Sequence, residues 1–267
     1  LFLLVGTQTL DEPNGNFASA HGRVGLQRRA LGRAMTDSSV LVLVAKWPGS
    51  GASKTRLASQ LIAAGTSEDD AKKWTAEFTR ASVHDLVVRL KRLPPWCSFA
   101  LLYSPPVDEA RAYFSALLDE ADCSDYGWIL MPVLASSDPR AKDLGGILAD
   151  AAVRAKEVTG AGIVAFCGSD CPELPGSSVK YCLEAAFGST DKPAAAAICP
   201  ATDGGFTLLA LPAHADPAQC FSGVKWSAPD TCLSQLAALS RAGLLCVVGE
   251  THADVDELDD LKALKKR

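Results

Sequence analysis

The alternation of apolar runs with amphipathic stretches from residue 40 onward constrains the fold most strongly. The runs at 40–44 and 161–167 are continuously apolar, and the first is rich in β-branched residues, which predicts strands buried on both faces. Stretches with helical periodicity, such as 67–93 and 144–159, lie between the runs. Alternating strands and helices indicate a mostly parallel sheet covered by helices. The sequence therefore predicts an α/β fold with three layers, α/β/α, around a mostly parallel central sheet.

The predicted elements continue to residue 264 without a low-complexity linker, which predicts a single domain over 40–267. Residues 1–39 stand apart, because they include a cationic, acid-free stretch at 21–33. Such N-termini are typical of organelle transit peptides; the alternative is that translation starts at Met35. We expect this extension to be disordered or to serve targeting. The protein is then expected in the cytoplasm or, with a transit peptide, in an organelle matrix.

Composition argues against two classes of partner and leaves the oligomeric state open. The 26 basic and 31 acidic residues give a net charge of −5, whereas a nucleic-acid-binding surface needs a basic face. No run approaches the roughly 20 apolar residues that span a bilayer, so we expect a soluble protein without a membrane span. The nine cysteines are scattered through the chain, several of them in apolar runs, which favours structural thiols in a reducing compartment over disulfides or a zinc site.

The segment after the first predicted strand combines turn residues with two cations, Lys54 and Arg56. A loop with exposed backbone N–H groups before a helix, together with positive charge, is typical of a phosphate or pyrophosphate site. It is not a Walker A loop, since Pro48 and Ser53 occupy the two glycine positions of that motif. The alternative is a basic loop that only caps the next helix. The predicted phosphate-binding residues of this segment are Ala45, Lys46, Gly49, Lys54 and Arg56.

Carboxylates follow three other predicted strands. They are Asp170, Asp203, Asp254 and Asp256. Ligands of open α/β sheets bind beyond the carboxyl ends of the strands, so we expect these acids and the cationic loop on one rim. Cations that face carboxylates suit a nucleotide diphosphate bridged by Mg²⁺ or Mn²⁺, because these ions take oxygen ligands from one or two carboxylates and from phosphate.

Each of the three acidic segments also has a purely structural interpretation. Asp170 precedes Cys-Pro and could start a turn into a helix. Asp203 precedes two glycines and could belong to a hairpin turn. Asp256 could be the N-cap of the last helix, with Asp259 completing an approximate capping box. The shared position at strand ends favours a functional interpretation of the set.

Five segments together resemble a small transferase family of the glycosyltransferase A (GT-A) superfamily, the radical-SAM/selenodomain-associated transferases. The loop at 45–57 resembles A-K-x-P-x-x-G-x-x-K-T-R-L, and the segment at 168–174 resembles G-S-D-x-P-x-L. The segments at 200–211, 226–227 and 254–261 resemble P-A-x-D-G-G-Y-x-L-x-G-L, W-S-T and D-V-D-x-x-x-D-L. The resemblance implies a Rossmann-like GT-A fold, that of nucleotide-diphospho-sugar transferases.

The resemblance also implies roles for the rim residues. Asp170 occupies the place of the metal-binding acid of GT-A enzymes, with Asp254 or Asp256 as a second ligand. Lys54 would hold the donor phosphates and stabilise the leaving diphosphate, and Asp203 would orient the sugar or act as the base on an acceptor hydroxyl. The remaining predicted nucleotide-binding residues are Ser169, Gly204 and Gly205.

The leading hypothesis is a metal-dependent glycosyltransferase with a nucleotide-sugar donor and a small-molecule acceptor. Nucleotidyl transfer from a nucleoside triphosphate is the alternative, because the loop also resembles that of guanylyltransferases acting on phosphorylated small molecules. A catalytically silent nucleotide-binding module is a third hypothesis. It arises because the family's D-L-G-E-R-M is D-L-G-G-I-L here, with Gly146 and Ile147 in place of an acid and an arginine. If that arginine holds a phosphate or the acceptor, its loss alters specificity or lowers activity.

Overall fold

The chain alternates between strands and helices from residue 39 to residue 264, as the apolar pattern predicts. The structure, a computed structural model, describes residues 38–50, 53–123 and 126–265. All of these residues lie in one compact unit. The predicted extension covers residues 1–39; its part at 1–37 lies outside the described residues and stays a prediction, whereas Ser39 already belongs to the first strand.

Seven strands form one sheet within the described residues. They are β1 (Ser39–Lys46), β2 (Cys97–Ser104), β3 (Ile129–Pro132), β4 (Ile163–Gly168), β5 (Ala196–Pro200), β6 (Phe206–Leu211) and β7 (Cys246–Val248). Their order is β3-β2-β1-β4-β6-β5-β7, and β6 runs antiparallel to both of its neighbours while the other pairs are parallel. The carboxyl ends of β1, β4, β5 and β7 consequently meet at one edge of the sheet.

Eight α-helices lie between or after the strands in the described part of the chain. They are α1 (Thr55–Ala63), α2 (Glu68–Leu90), α3 (Asp108–Glu120), α4 (Leu144–Thr159), α5 (Gly176–Phe187), α6 (Pro217–Cys220), α7 (Thr231–Arg241) and α8 (Leu258–Leu264). Short 3-10 turns at Pro48–Ser50 and Pro139–Lys142 precede α1 and α4. The bounds of α4 are those that the sequence pattern predicts.

Alternate residues of the central strands belong to two separate apolar cores. Leu41 and Leu43 of β1 belong to a cluster with side chains of α2, α3 and α5, whereas Val40 and Val42 belong to a cluster with side chains of α4 and α7. Successive side chains of a strand point to opposite faces of a sheet, so the two clusters lie on opposite faces. This explains why β1 is continuously apolar, since its residues from Val40 to Leu43 are fully buried. Among the described helices, none is long and apolar enough to cross a bilayer.

The cysteines contribute to these cores as thiols. All nine are free, and eight of them are buried, Cys246 being half-buried. Burial raises the pKa of Cys97, Cys171 and Cys220 to about 11, so their reactive thiolate forms are scarce at neutral pH.

We expect only Cys246 to react readily with Ellman's reagent in the folded protein. The eight buried thiols should react at least about 100-fold more slowly than in guanidinium chloride, because reaction requires local opening of the core. Titration of all nine thiols in denaturant is the control. Rapid reaction of two or more thiols in the native protein would contradict the burial described here.

Candidate functional site

A crevice of about 700 Å³ lies at the carboxyl edge of the sheet. It is lined by residues from all four segments that the sequence places after separate strands. These are Ala45, Lys46, Lys54, Arg56, Ser169, Asp170, Asp203, Gly205, Asp254 and Asp256. The structure therefore brings the cationic loop and the strand-end acids together on one rim.

Lys54 lies at the centre of the charged part of the crevice. It precedes α1 in a left-handed conformation, with φ 51° and ψ 41°, and its side chain makes no capping hydrogen bond. Its side chain is only 4% exposed, and its Nζ contacts the carboxylate of Asp170 and lies 2.9 Å from Oδ1 of Asp256. Burial, the largest single influence, would lower the pKa of Lys54, but the attraction of the two carboxylates outweighs it and raises that pKa. Lys54 is thus a fixed positive charge. The interpretation of the loop as a helix cap alone does not explain why this charge is buried between two carboxylates.

A backbone hydrogen bond fixes the two acidic segments against each other. The N–H of Val255 donates to the carbonyl oxygen of Asp170 at 2.9 Å, so Asp254 and Asp256 lie beside Asp170. Asp256 also accepts a hydrogen bond from Nη2 of Arg56 at 3.3 Å, and the Arg56 side chain is 66% exposed. One carboxylate thus contacts both cations of the loop.

The structural interpretation of Asp256 as a helix N-cap is wrong. Glu257 is the N-cap of α8 and forms a capping box with Asp260, which accepts hydrogen bonds from the N–H groups of Glu257 at 2.8 Å and Asp256 at 3.0 Å. Asp259 instead pairs with Lys262 on the surface at 2.7 Å. Because the helix begins one residue later than an Asp256 cap requires, the Asp256 carboxylate faces the crevice.

Asp254 and Asp203 form a second acidic group in the crevice. Burial, followed by repulsion from Asp203 and other nearby acids, raises the pKa of Asp254 to about 6. Asp203 lies in the turn of the β5–β6 hairpin, where its Oδ1 accepts a hydrogen bond from the N–H of Gly205 at 2.7 Å. The hairpin interpretation of Asp203 is thus correct for its backbone, and the turn also places it in the crevice.

The donor set fits a divalent ion that shares its coordination with a substrate, but not a metal cage made by protein alone. No group of three or more His, Cys, Asp or Glu side chains among the described residues is arranged to hold a metal ion. However, Asp170 and Asp256 already converge on one cation, the ammonium group of Lys54. Mg²⁺ commonly uses one or two carboxylates and completes its shell with phosphate oxygens and water.

Two of the predicted nucleotide-binding glycines, Gly49 and Gly204, are not among the residues that line the crevice. Gly49 lines a separate cavity of about 480 Å³ between α1 and α2. Gly204 has a φ of +92°, and a Cβ there would lie 1.9 Å from the carbonyl oxygen of Pro229. Gly204 therefore fixes the contact between the Asp203 turn and the segment that precedes α7.

A set of apolar residues in the crevice was not predicted as part of the site. We call it the apolar wall; its members are Val133, Leu144, Ile147, Leu148, Phe206 and Trp226. The sequence held a signal for three members of this wall: Trp226 and Phe206 lie in two of the resembling motifs, and Ile147 stands in place of the family's arginine. Leu144 and Leu148 resemble ordinary positions of an amphipathic helix, so sequence reasoning missed them.

Gly146 has a packing reason that the sequence does not reveal. A Cβ at this position would lie 1.8 Å from the carbonyl oxygen of Arg140, in the 3-10 turn before α4. Any larger residue, including the acid of the resembling family, would therefore displace this turn. Ile147, the other departure, lies in the apolar wall.

Comparison with known proteins agrees with this architecture. The model of the family described as "Uncharacterized protein conserved in bacteria (DUF2064)" matches residues 108–228. The crystal structure of a candidate nucleotide-diphospho-sugar transferase from Desulfovibrio desulfuricans G20 is 25% identical and superposes with a TM-score of 0.67 over 85% of each chain. The resemblance predicted from the motifs is confirmed.

A more distant structure shares the fold alone. A cytidylyltransferase from Leptospira borgpetersenii serovar Hardjo-bovis is 10% identical, with a TM-score of 0.53 over 86% of this chain and 85% of that chain. No curated protein matches the chain. The α/β fold with a seven-stranded, mostly parallel sheet is thus one that known transferase structures share.

Proposed function

We propose that the protein is a GT-A-type glycosyltransferase that uses a nucleotide-sugar donor. The observation that carries the proposal is the buried ammonium group of Lys54, held by Asp170 and Asp256 in the crevice at the carboxyl edge of the sheet. The likeness to the Desulfovibrio protein supports the nucleotide sugar as the donor class. The two apolar cores on opposite faces of the sheet support the three-layer arrangement of this fold.

The cationic loop would bind the diphosphate of the donor. Lys54 carries a fixed positive charge in a buried position, where electrostatic interactions are stronger than in water. It would stabilise the negative charge that develops on the diphosphate as this group leaves, and the exposed Arg56 would hold the outer phosphate oxygens. Asp170, with Asp254 or Asp256, would hold Mg²⁺ or Mn²⁺, which supplies further neutralisation of the diphosphate charge.

Asp203 would act on the acceptor. Its carboxylate would take the proton of an acceptor hydroxyl while the hydroxyl oxygen bonds to the anomeric carbon of the sugar. The bond between that carbon and the diphosphate oxygen breaks, and the nucleoside diphosphate leaves with the bonding electrons. In the alternative, nucleotidyl transfer, the acceptor oxygen would attack the α-phosphorus of a nucleoside triphosphate. Pyrophosphate would then leave, and Lys54 and Arg56 would stabilise its charge. The packing of Gly146 against Arg140 weakens the third hypothesis, a silent binding module, because it gives one of the two departures a structural cause.

A thermal-shift screen tests the proposal. We expect nucleotide sugars with Mg²⁺ or Mn²⁺ to raise the unfolding midpoint, since a ligand at 100 times its Kd stabilises the native state by about 2.7 kcal/mol. Addition of EDTA should reduce the shift, and Asp170→Asn should weaken metal-dependent binding at least tenfold. Asp259→Asn is the matched control, because Asp259 is exposed and pairs with Lys262. This variant should bind the nucleotide sugar and metal normally.

The outcomes separate the hypotheses. A shift with nucleoside triphosphates but not with nucleotide sugars would replace glycosyl transfer by nucleotidyl transfer. Nucleotide binding without turnover of any donor would favour the silent module. No shift with any nucleotide, with or without metal, would sink the proposal.

A further inference from the structure

The crevice has two chemically different parts. Its charged side chains come from the segments that follow β1, β4, β5 and β7. The part of its lining contributed by α4 and by residues 226–229 carries no charged side chain among the described residues. A diphosphate and a cation have favourable partners only in the charged part.

The apolar wall is a packed surface and not a chance exposure of single residues. Ile147, Phe206 and Trp226 are partly buried and pack against the core cluster beneath α4. The ring centroids of Phe206 and Trp226 are 6.2 Å apart, within the usual range for aromatic pairs. Leu144, at the first turn of α4, is 40% exposed although it also lines the crevice. A ligand that covers these side chains would remove apolar surface from water.

Asp203 lies at the junction of the two parts. The turn that carries it packs against Pro229 through Gly204, whose carbonyl oxygen also accepts a hydrogen bond from the N–H of Cys232 at 2.8 Å. Phe206, a member of the apolar wall, begins the strand directly after this turn. A molecule that rests on the apolar wall can therefore present a hydroxyl group to Asp203.

Lys54 and Arg56 approach from the other face of the sheet, whereas Lys46, which alternates with Ala45 in β1, is on the same face as Val42 and α4. Lys54 and Arg56 lie at the start of α1, which packs against α2, and side chains of α2 belong to the core on the face opposite to α4. The cationic pair Lys54 and Arg56 and the apolar wall are consequently on different sides of the sheet edge.

We propose that the apolar wall binds the acceptor, and that the acceptor is an alcohol or phenol with an apolar body, not a phosphorylated or otherwise charged molecule. This inference rests on the proposed function, because it assigns the second substrate of the same crevice. Ile147 is then a specificity-determining residue: an arginine at its position would put a charge where this chain presents an apolar surface.

A series of 4-alkylphenols tests the wall directly. Binding of phenol, 4-ethylphenol and 4-butylphenol is followed by intrinsic tryptophan fluorescence and by the thermal midpoint. We expect affinity to rise about fourfold for each methylene group that becomes buried. Phenyl phosphate should displace 4-butylphenol from the wall at least about tenfold less effectively than 4-ethylphenol does, because no side chain of the wall compensates its charge. An affinity that does not depend on chain length overturns the proposal.

Variants locate the binding site on the wall. Ile147→Asp should weaken 4-butylphenol binding at least tenfold, whereas Val153→Asp, exposed on the same helix and outside the crevice, should not change it. Leu144→Asp serves where Ile147→Asp fails to fold, because an acid is well tolerated in the first turn of a helix. Unchanged binding in the folded wall variant overturns the proposal.

A double titration distinguishes the acceptor from the donor base. If the wall holds the acceptor, 4-butylphenol and a nucleoside diphosphate with Mg²⁺ bind together, and their stabilising effects add. Mutual competition would mean that the nucleobase occupies the wall, and it overturns the acceptor assignment. Alkylphenol binding without any nucleotide binding would refute the proposed function, and nucleotide binding without alkylphenol binding would refute this inference alone.

Discussion

Lys54→Met is expected to reduce nucleotide binding and transfer at least about 100-fold, because it removes the one buried positive charge of the crevice seen in the described residues. It should also destabilise the protein, since the carboxylates of Asp170 and Asp256 lose their shared partner. Breaking a buried ion pair costs about 3–5 kcal/mol, and the partial hydration of the two acids lowers our expectation to about 1–3 kcal/mol. Denaturant unfolding measures the loss of stability, and isothermal titration with a nucleoside diphosphate and Mg²⁺ measures the loss of binding.

Lys72→Met is the matched control for this variant. Lys72 pairs with Glu68 on the exposed surface of α2, so its loss should change neither binding nor stability measurably. A Lys54→Met variant that binds nucleotides with normal affinity would show that the cationic loop is a structural feature only. A loss of stability without a loss of binding would lead to the same conclusion.

The fold was predictable where the sequence pattern is long and uniform. The periodicity of α4 and the continuous apolar run of β1 follow from burial on one helix face or on both faces of a strand. In contrast, α6 was not predicted, because its residues Pro217–Cys220 are too few to show a period. The antiparallel direction of β6 follows from the short turn after β5, the hairpin turn that carries Asp203.

The grouping of the candidate site residues on one rim was predictable, since parallel strands end at the same edge of a sheet. The individual contacts were not, because Lys54 and Asp256 are 202 positions apart and their pairing depends on the packing of the last segment. A shift of one residue in the start of α8 decided whether Asp256 caps a helix or faces the crevice. The role of Gly146 depends on a backbone carbonyl of a neighbouring turn, which leaves no mark in the sequence.

Gly204→Ala is expected to cause the largest loss of stability among these substitutions. With φ at +92°, an alanine there is strained, and its Cβ would lie 1.9 Å from the carbonyl oxygen of Pro229. The Cβ position is fixed by the backbone of residue 204 and the atoms it meets belong to the backbone of Pro229, so no side-chain rotation relieves the clash. We expect a cost of about 2–4 kcal/mol. Denaturant unfolding measures it.

Gly243→Ala separates the two contributions to that cost. Gly243 also has a positive φ, +78°, but no heavy atom lies within 4 Å of the added Cβ, so only the backbone strain of about 1–2 kcal/mol remains. Equal losses in the two variants would show that the contact with Pro229 adds nothing. A larger loss of stability in Gly204→Ala, together with weaker binding of 4-butylphenol, would show that the contact between Gly204 and Pro229 positions the Asp203 turn relative to the apolar wall. Because that contact joins the proposed base to the proposed acceptor site, the chemistry of the crevice then depends on a glycine that touches neither substrate.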